Sequence, residues 1–164
     1  MPFRSIIPTI VKKLTPGAED YTPGSTEKIF YIDKFKTKIR PMICYESIFF
    51  QEILTTEADV LVNITNSSWY GNSTAPHHLF YVNKFRAIEN ATPVVVTANH
   101  GISGIFDSLG RVLGKTKLND ITAFDMYLPH KISTFTPYSR LGLNALLILM
   151  VFLHHVRIIV NKIR

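Results

Sequence analysis

Cys44 is the single cysteine among 164 residues, in the string Ile43-Cys44-Tyr45-Glu46, between an apolar run and a helix-like stretch at 48–54. A thiol at the exit of a strand faces the unpaired N–H groups and the positive dipole end of the turn that follows. Both favour thiolate over thiol. Two more apolar runs end in polar clusters, Asn66-Ser67-Ser68-Trp69-Tyr70-Gly71 and Thr97-Ala98-Asn99-His100-Gly101. Ligand sites in open α/β sheets form at strand ends, so three such ends point to one site. The chemistry they could support is acyl transfer or hydrolysis through a sulfur nucleophile, with His100 as a base in a Cys–His pair. Each residue also has a plainer reading. Cys44 could be a small apolar filler and Trp69 a loop anchor packed on the core. His77 and His78 diverge by about 100° on a helix and lack metal-ligand spacing to any carboxylate or thiol.

The elements that must position these residues follow from pattern. Residues 15–26 contain two Pro-Gly turns and read as loop. Strands are predicted at 29–32 and 37–44, where Pro41 marks a bulge or an edge, and at 59–65, 93–97 and 121–126. Residues 76–90 read as a helix with Leu79, Val82, Phe85, Arg86 and Ile88 on one face and Ser73 or Thr74 as its cap. Residues 103–113 read as a hairpin around Asp107-Ser108-Leu109-Gly110. The sum is a mixed α/β layered domain followed by one C-terminal helix.

Composition narrows the class. The chain is 46% hydrophobic with a formal charge of +6 and a mean hydropathy of +0.14. One cysteine excludes an internal disulfide. The basic residues are scattered, with no zinc-finger spacing and no RNA-binding aromatic signature, which argues against nucleic acid; the charge reads as solubility or attraction to an anionic membrane surface. Met1-Pro2-Phe3-Arg4 leads into no long apolar segment, so no cleavable signal peptide is expected. Residues 141–160 are mostly apolar, and a bilayer crossing takes about 20 such residues; an amphipathic or buried helix is the alternative. If the segment spans, Arg157, Lys162 and Arg164 outweigh Arg140 and place the C-terminus in the cytoplasm. No metal or organic cofactor is implied.

The combination Ile43-Cys44-Tyr45-Glu46, Asn66-x-x-Trp69-Tyr70-Gly71-x-Ser73, Arg86-Ala87-Ile88-Glu89, His100-Gly101-Ile102-Ser103 and Asp107-x-x-Gly110-Arg111 resembles the apolipoprotein N-acyltransferase family of the nitrilase superfamily, in block order and spacing. Thr136-Pro137-Tyr138-Ser139-Arg140 before the last apolar stretch fits the same family. The resemblance covers nearly the whole chain but only the C-terminal part of a family member. It implies a partial nitrilase-like αββα sandwich over 1–139, a transmembrane helix at 140–161 and a basic tail at 162–164. It also implies an inner-membrane location with the sandwich in the periplasm. In that family Cys44 would take an acyl chain from a phospholipid as a thioester and pass it to the N-terminal amine of a diacylglyceryl-modified apolipoprotein. Tyr45, Glu46 and Asn66 would support the nucleophile loop and acceptor pocket, and Trp69 would line a pocket.

The departures have consequences of their own. The family's catalytic Glu and Lys lie upstream of its cysteine, and the chain aligns just after them; Lys34, Lys36 and Lys38 do not stand in the lysine's sequence context. Asn66-Ser67 replaces an Asn-Asp pair. A base and a cationic oxyanion donor are each worth about two to four powers of ten in rate. The chain alone is therefore expected to be inactive unless an upstream chain supplies them. A soluble nitrilase-superfamily amidase and a non-enzymatic remnant of a split gene are the competing expectations.

Overall fold

The computed structural model describes residues 28–54, 57–134 and 136–163. The predicted loop at 15–26 and the amino-terminal residues lie outside the described residues. Among the described residues six strands form one mixed sheet in sequence order: β1 (Phe30–Ile32), β2 (Thr37–Ile43), β3 (Val60–Asn66), β4 (Val94–Asn99), β5 (Gly104–Phe106) and β6 (Val112–Lys115). The central strands β2, β3 and β4 are parallel, and the outer pairings are antiparallel. β1 pairs only with residues 37–39, so Pro41 sits where β2 has lost one neighbour and its missing N–H costs no ladder bond.

Helices follow the Cys44 segment and cross one sheet face. A 3-10 turn, Cys44–Ile48, leads into the single helical turn α1 (Phe50–Ile53). The predicted continuous helix at 48–54 is thus a tighter turn followed by a short one. The long helix α2 (Ala75–Asn90) has Pro76 in its first turn, and the Ser73 hydroxyl accepts from the Ala75 N–H. Its buried stripe is Pro76, Leu79, Phe80, Asn83, Arg86, Ala87 and Asn90. The expected apolar face was rotated: Phe85 and Ile88 are exposed. The buried stripe carries three polar residues, which hydropathy alone assigns to solvent. The two asparagines are bonded internally: Asn63 Nδ2 donates to Asn83 Oδ1 at 3.0 Å, Asn83 Nδ2 to the Leu79 carbonyl at 2.9 Å and Asn90 Nδ2 to the Arg86 carbonyl at 2.9 Å.

The core under α2 is formed by Met42, Ile53, Leu61, Phe80, Ala87, Val94, Val96 and Phe106. Gly104 is required there, because a Cβ on it would lie 2.9 Å from the Phe80 ring. Alternation along β2 and β3 sends Ile43 and Ile64 to the opposite face, where they are 67% and 56% exposed. Among the described residues, one face of the sheet is therefore packed on helix and the other, apolar at these positions, is open: one sheet with its helical layer.

Two more predicted elements change. Residues 121–126 form no strand, and Ile121 is fully exposed. Met126 Cε instead packs over Gly114, 2.8 Å from where a Cβ would stand, so the segment leans on β6 through side chains and makes no ladder beside it. The apolar C-terminal segment is broken at Gly142, whose φ of +53° separates α3 (Pro137–Leu141) from α4 (Asn144–Ile163). Within α4, Asn144–Asn161 has a mean hydropathy of 1.7 and none of it is buried, so it is long and apolar enough to cross a membrane. The hairpin of β5 and β6 forms where predicted, its turn held by Asp107 Oδ1 accepting from the Leu109 and Arg111 N–H groups.

Candidate nucleophile site

Because β2, β3 and β4 are parallel, their C-terminal ends lie along one edge of the sheet, and the three polar clusters follow from those ends. Register pairs Ile43 with Ile64 and Asn66 with Asn99, which brings the loops side by side. The Ser67 N–H donates to the Asn99 carbonyl at 2.9 Å. A Cβ on Gly101 would stand 2.9 Å from Ser67 Oγ, so only glycine lets the loop after β4 settle against the loop after β3.

Cys44 is half-buried at the start of its 3-10 turn with φ +53°, in the left-handed region that a non-glycine residue enters at a cost of about 1–3 kcal/mol. That conformation turns the chain sharply out of β2. Its sulfur accepts from the Thr65 hydroxyl at 3.3 Å and lies 4.0 Å from the Asn66 carbonyl. The turn is braced from behind: Glu46 Oε2 accepts the Ile43 N–H at 2.7 Å, and the Ser47 hydroxyl reaches the Cys44 carbonyl at 3.5 Å. Glu46 thus reaches back across Cys44 to the residue before it, as a carboxylate in a capping box does.

The other predicted residues are placed as follows. Asn66 Oδ1 accepts from the Ser68 N–H at 3.1 Å, which shapes the loop after β3. Tyr45 is half-exposed and packs edge-on against Phe49, with 6.5 Å between ring centroids. It borders a cleft of about 270 Å³ with Ile48, Tyr70, His78, Leu79 and Val82. Trp69 is 81% exposed and does not anchor its loop to the core. His100 has φ +51° and follows β4, two strands from Cys44; among the described residues the sulfur's hydrogen-bonding neighbours are Thr65 and Asn66. Thr65 is the residue that sequence reading missed. Its signal was its place at the end of the strand neighbouring Cys44, which becomes informative only once the register is known. Among the described residues, no group of three or more His, Cys, Asp and Glu side chains could hold a metal.

Comparison with known proteins bears on the same strings. A protein said to be apolipoprotein N-acyltransferase from Rickettsia typhi is 44% identical over 155 residues, which is 93% of this chain and 31% of that protein. The protein of that name from Geobacter metallireducens is 38% identical over 72% of this chain and 23% of its own length. The chain thus spans about a third or less of the curated relatives it matches. A carbon-nitrogen hydrolase structure from Helicobacter pylori superposes with a TM-score of 0.49 at 16% identity, covering 58% of this chain and 41% of that one. The family model for carbon-nitrogen hydrolase matches residues 7–123, a span that holds the strained cysteine, all six strands and the three converging loops, and the chain belongs to that family.

Proposed function

We propose that this chain carries the nucleophile of a membrane-bound acyltransferase that modifies lipoproteins. The observation that carries the reading is Cys44: a cysteine in the left-handed region at the end of a central parallel strand, its sulfur held by a hydroxyl from the next strand. A thiolate is both a strong nucleophile and a good leaving group, so it can accept an acyl chain and release it. In this reading the Cys44 sulfur attacks the ester carbonyl of a phospholipid, the carbon–oxygen bond breaks, and the departing alkoxide takes the proton that the thiol gave up. The α-amino group of a diacylglyceryl-modified N-terminal cysteine then attacks the thioester. The carbon–sulfur bond breaks, the amine gives up a proton that the departing Cys44 sulfur takes, and the product is an amide.

The similar proteins named apolipoprotein N-acyltransferase support this choice of donor and acceptor. The unburied apolar helix α4 supports a bilayer location over the soluble amidase alternative. The proposed topology places the sheet domain on the periplasmic side of the inner membrane and the basic C-terminal end in the cytoplasm. Glu46 and Ser47 brace the nucleophile turn, Asn66 shapes the neighbouring loop, and Tyr45 and Trp69 face the substrates. In this reading a base and a cationic oxyanion donor complete the site around Cys44.

The test supplies phospholipid vesicles and a synthetic diacylglyceryl-cysteine peptide to membranes carrying the protein, and reads the peptide N-terminus by mass spectrometry. The expected product is the N-acyl amide, formed when the upstream part of the family protein is present and lost in Cys44→Ala. N-acylation that persists in Cys44→Ala contradicts the reading.

A further inference from the structure

The segment that leads into α4 is fastened to the segment that carries the nucleophile, and one buried arginine joins the two. Arg86 on α2 is 6% exposed. Its guanidinium lies 5.6 Å from the centroid of the Phe50 ring, in the helical turn just after the Cys44 turn. Its Nη2 pairs with Glu89 Oε1 at 2.9 Å. The Glu89 backbone carbonyl takes the Thr136 hydroxyl, and the same hydroxyl oxygen accepts the Ser139 N–H at 2.9 Å, capping α3. Tyr138, in α3, closes the loop by packing on Phe50 with 6.0 Å between centroids. Beyond α3 a Cβ on Gly142 would sit 3.5 Å from Leu54 Cδ1, so the break before α4 also rests against the end of the nucleophile segment.

This joint is expensive. Arg86 Nε and Nη1 and Glu89 Oε2 are buried without a hydrogen-bond partner among the described residues. Burial lowers the Arg86 pKa and raises that of Glu89, each against the pull of its partner. A buried ion pair with unsatisfied atoms is a poor source of stability and a better source of unique geometry. The membrane-spanning window of α4 has no buried face among the described residues, so the contacts of this joint tie the segment before it to the nucleophile segment.

We propose that Arg86, Glu89, Thr136 and Tyr138 are positioning residues that lock the pre-membrane turn to the nucleophile segment and so fix the height and tilt of Cys44 above the bilayer. This rests on the reading of α4 as a membrane span. The reaction needs it, because the sulfur must meet an ester that is itself held at the lipid headgroups, and a misplacement of about 1 Å can cost a hundredfold in rate.

The chain carries one tryptophan, Trp69, on the loop beside Cys44, so energy transfer from it to dansyl headgroups in phosphatidylglycerol and phosphatidylethanolamine vesicles reports the height of the site. Wild type is expected to float with the vesicles and to give a narrow distance distribution. Thr136→Val and Tyr138→Leu are expected to float equally, keep the far-ultraviolet circular dichroism of wild type, and give a broadened distribution. Thr136→Ser, which keeps the hydroxyl, restores the narrow one, a rescue that general loosening of the core would not produce. Variants that float and keep the wild-type distribution overturn the inference alone. A wild-type chain that stays out of the vesicles overturns the membrane reading and this inference with it. If a variant loses its circular dichroism, Glu89→Gln is read in its place: it keeps the Thr136 acceptor and weakens only the Arg86 pair, and an unchanged distribution in it contradicts a role for that pair.

Discussion

The Thr65 hydroxyl donates to the Cys44 sulfur across 3.3 Å, joining the end of β3 to the start of the turn after β2. A hydrogen bond to a charged acceptor is worth about 1.5–3 kcal/mol, and the proposed reaction puts such charge on this sulfur. Thr65→Val keeps the shape and removes the donor. Alkylation of Cys44 by iodoacetamide is expected to slow by about tenfold in that variant, with Thr65→Ser close to wild type. Rates measured by mass spectrometry check it, and an unchanged rate in Thr65→Val shows the contact to be incidental.

Gly101 is where the loop after β4 meets the loop after β3. A methyl group there would stand 2.8 Å from Ala98 Cβ and 2.9 Å from Ser67 Oγ. Gly101→Ala must push the two loops apart, and overpacking of this kind costs about 1–3 kcal/mol. Thermal unfolding should show the loss. Pairing the substitution with Ser67→Gly should recover part of it, since that removes one of the two obstructing side chains.

The hairpin turn gives the protein an acid limit. Burial pushes the Asp107 carboxyl up, but the backbone N–H and guanidinium of Arg111 and the N–H of Leu109 outweigh it and hold the group below the usual carboxylate range. The Arg111 side chain is 73% exposed, so its charge is screened and the two backbone donors carry more of the effect. A depressed folded pKa means that the stabilisation is complete above pH of about 4 and is lost as pH falls through the folded value. Asp107→Asn should cost about 1–2 kcal/mol at neutral pH and flatten this acid limb. Unfolding midpoints between pH 2 and 7 measure both.

Ile43 and Ile64 lie on the open face of the sheet, 67% and 56% exposed. Replacing Ile64 by Lys should leave the stability of this chain within about 0.5 kcal/mol, as for other exposed positions, and should reduce its aggregation in light scattering. A loss of several kcal/mol would show that the face is covered.

Much of the architecture was legible because it rests on local signals. β3 and β4 are runs of β-branched residues, and the Asp107-to-Gly110 turn chemistry made the hairpin visible. Cys44 could be singled out because it is the only thiol and ends an apolar run. What could not be read depends on tertiary register. Asn83 and Asn90 look like solvent-facing residues, yet they lie in the buried stripe of α2, where Asn63 donates to the Asn83 side chain and Asn90 donates to the Arg86 carbonyl. Residues 121–126 have strand propensity without a ladder to join. Thr65 has no local mark at all; only the alignment of β2 with β3 puts its hydroxyl on the sulfur.

The central claim is that Cys44 carries the acyl chain. Membranes containing the protein joined to its upstream family segment, incubated with phospholipid and no acceptor peptide, should yield a Cys44 peptide heavier by one fatty acyl group and released by neutral hydroxylamine. Addition of a diacylglyceryl-cysteine peptide should discharge it. An acyl group found on another residue, or a Cys44 peptide that stays unmodified while acceptor peptide is acylated, would contradict the account.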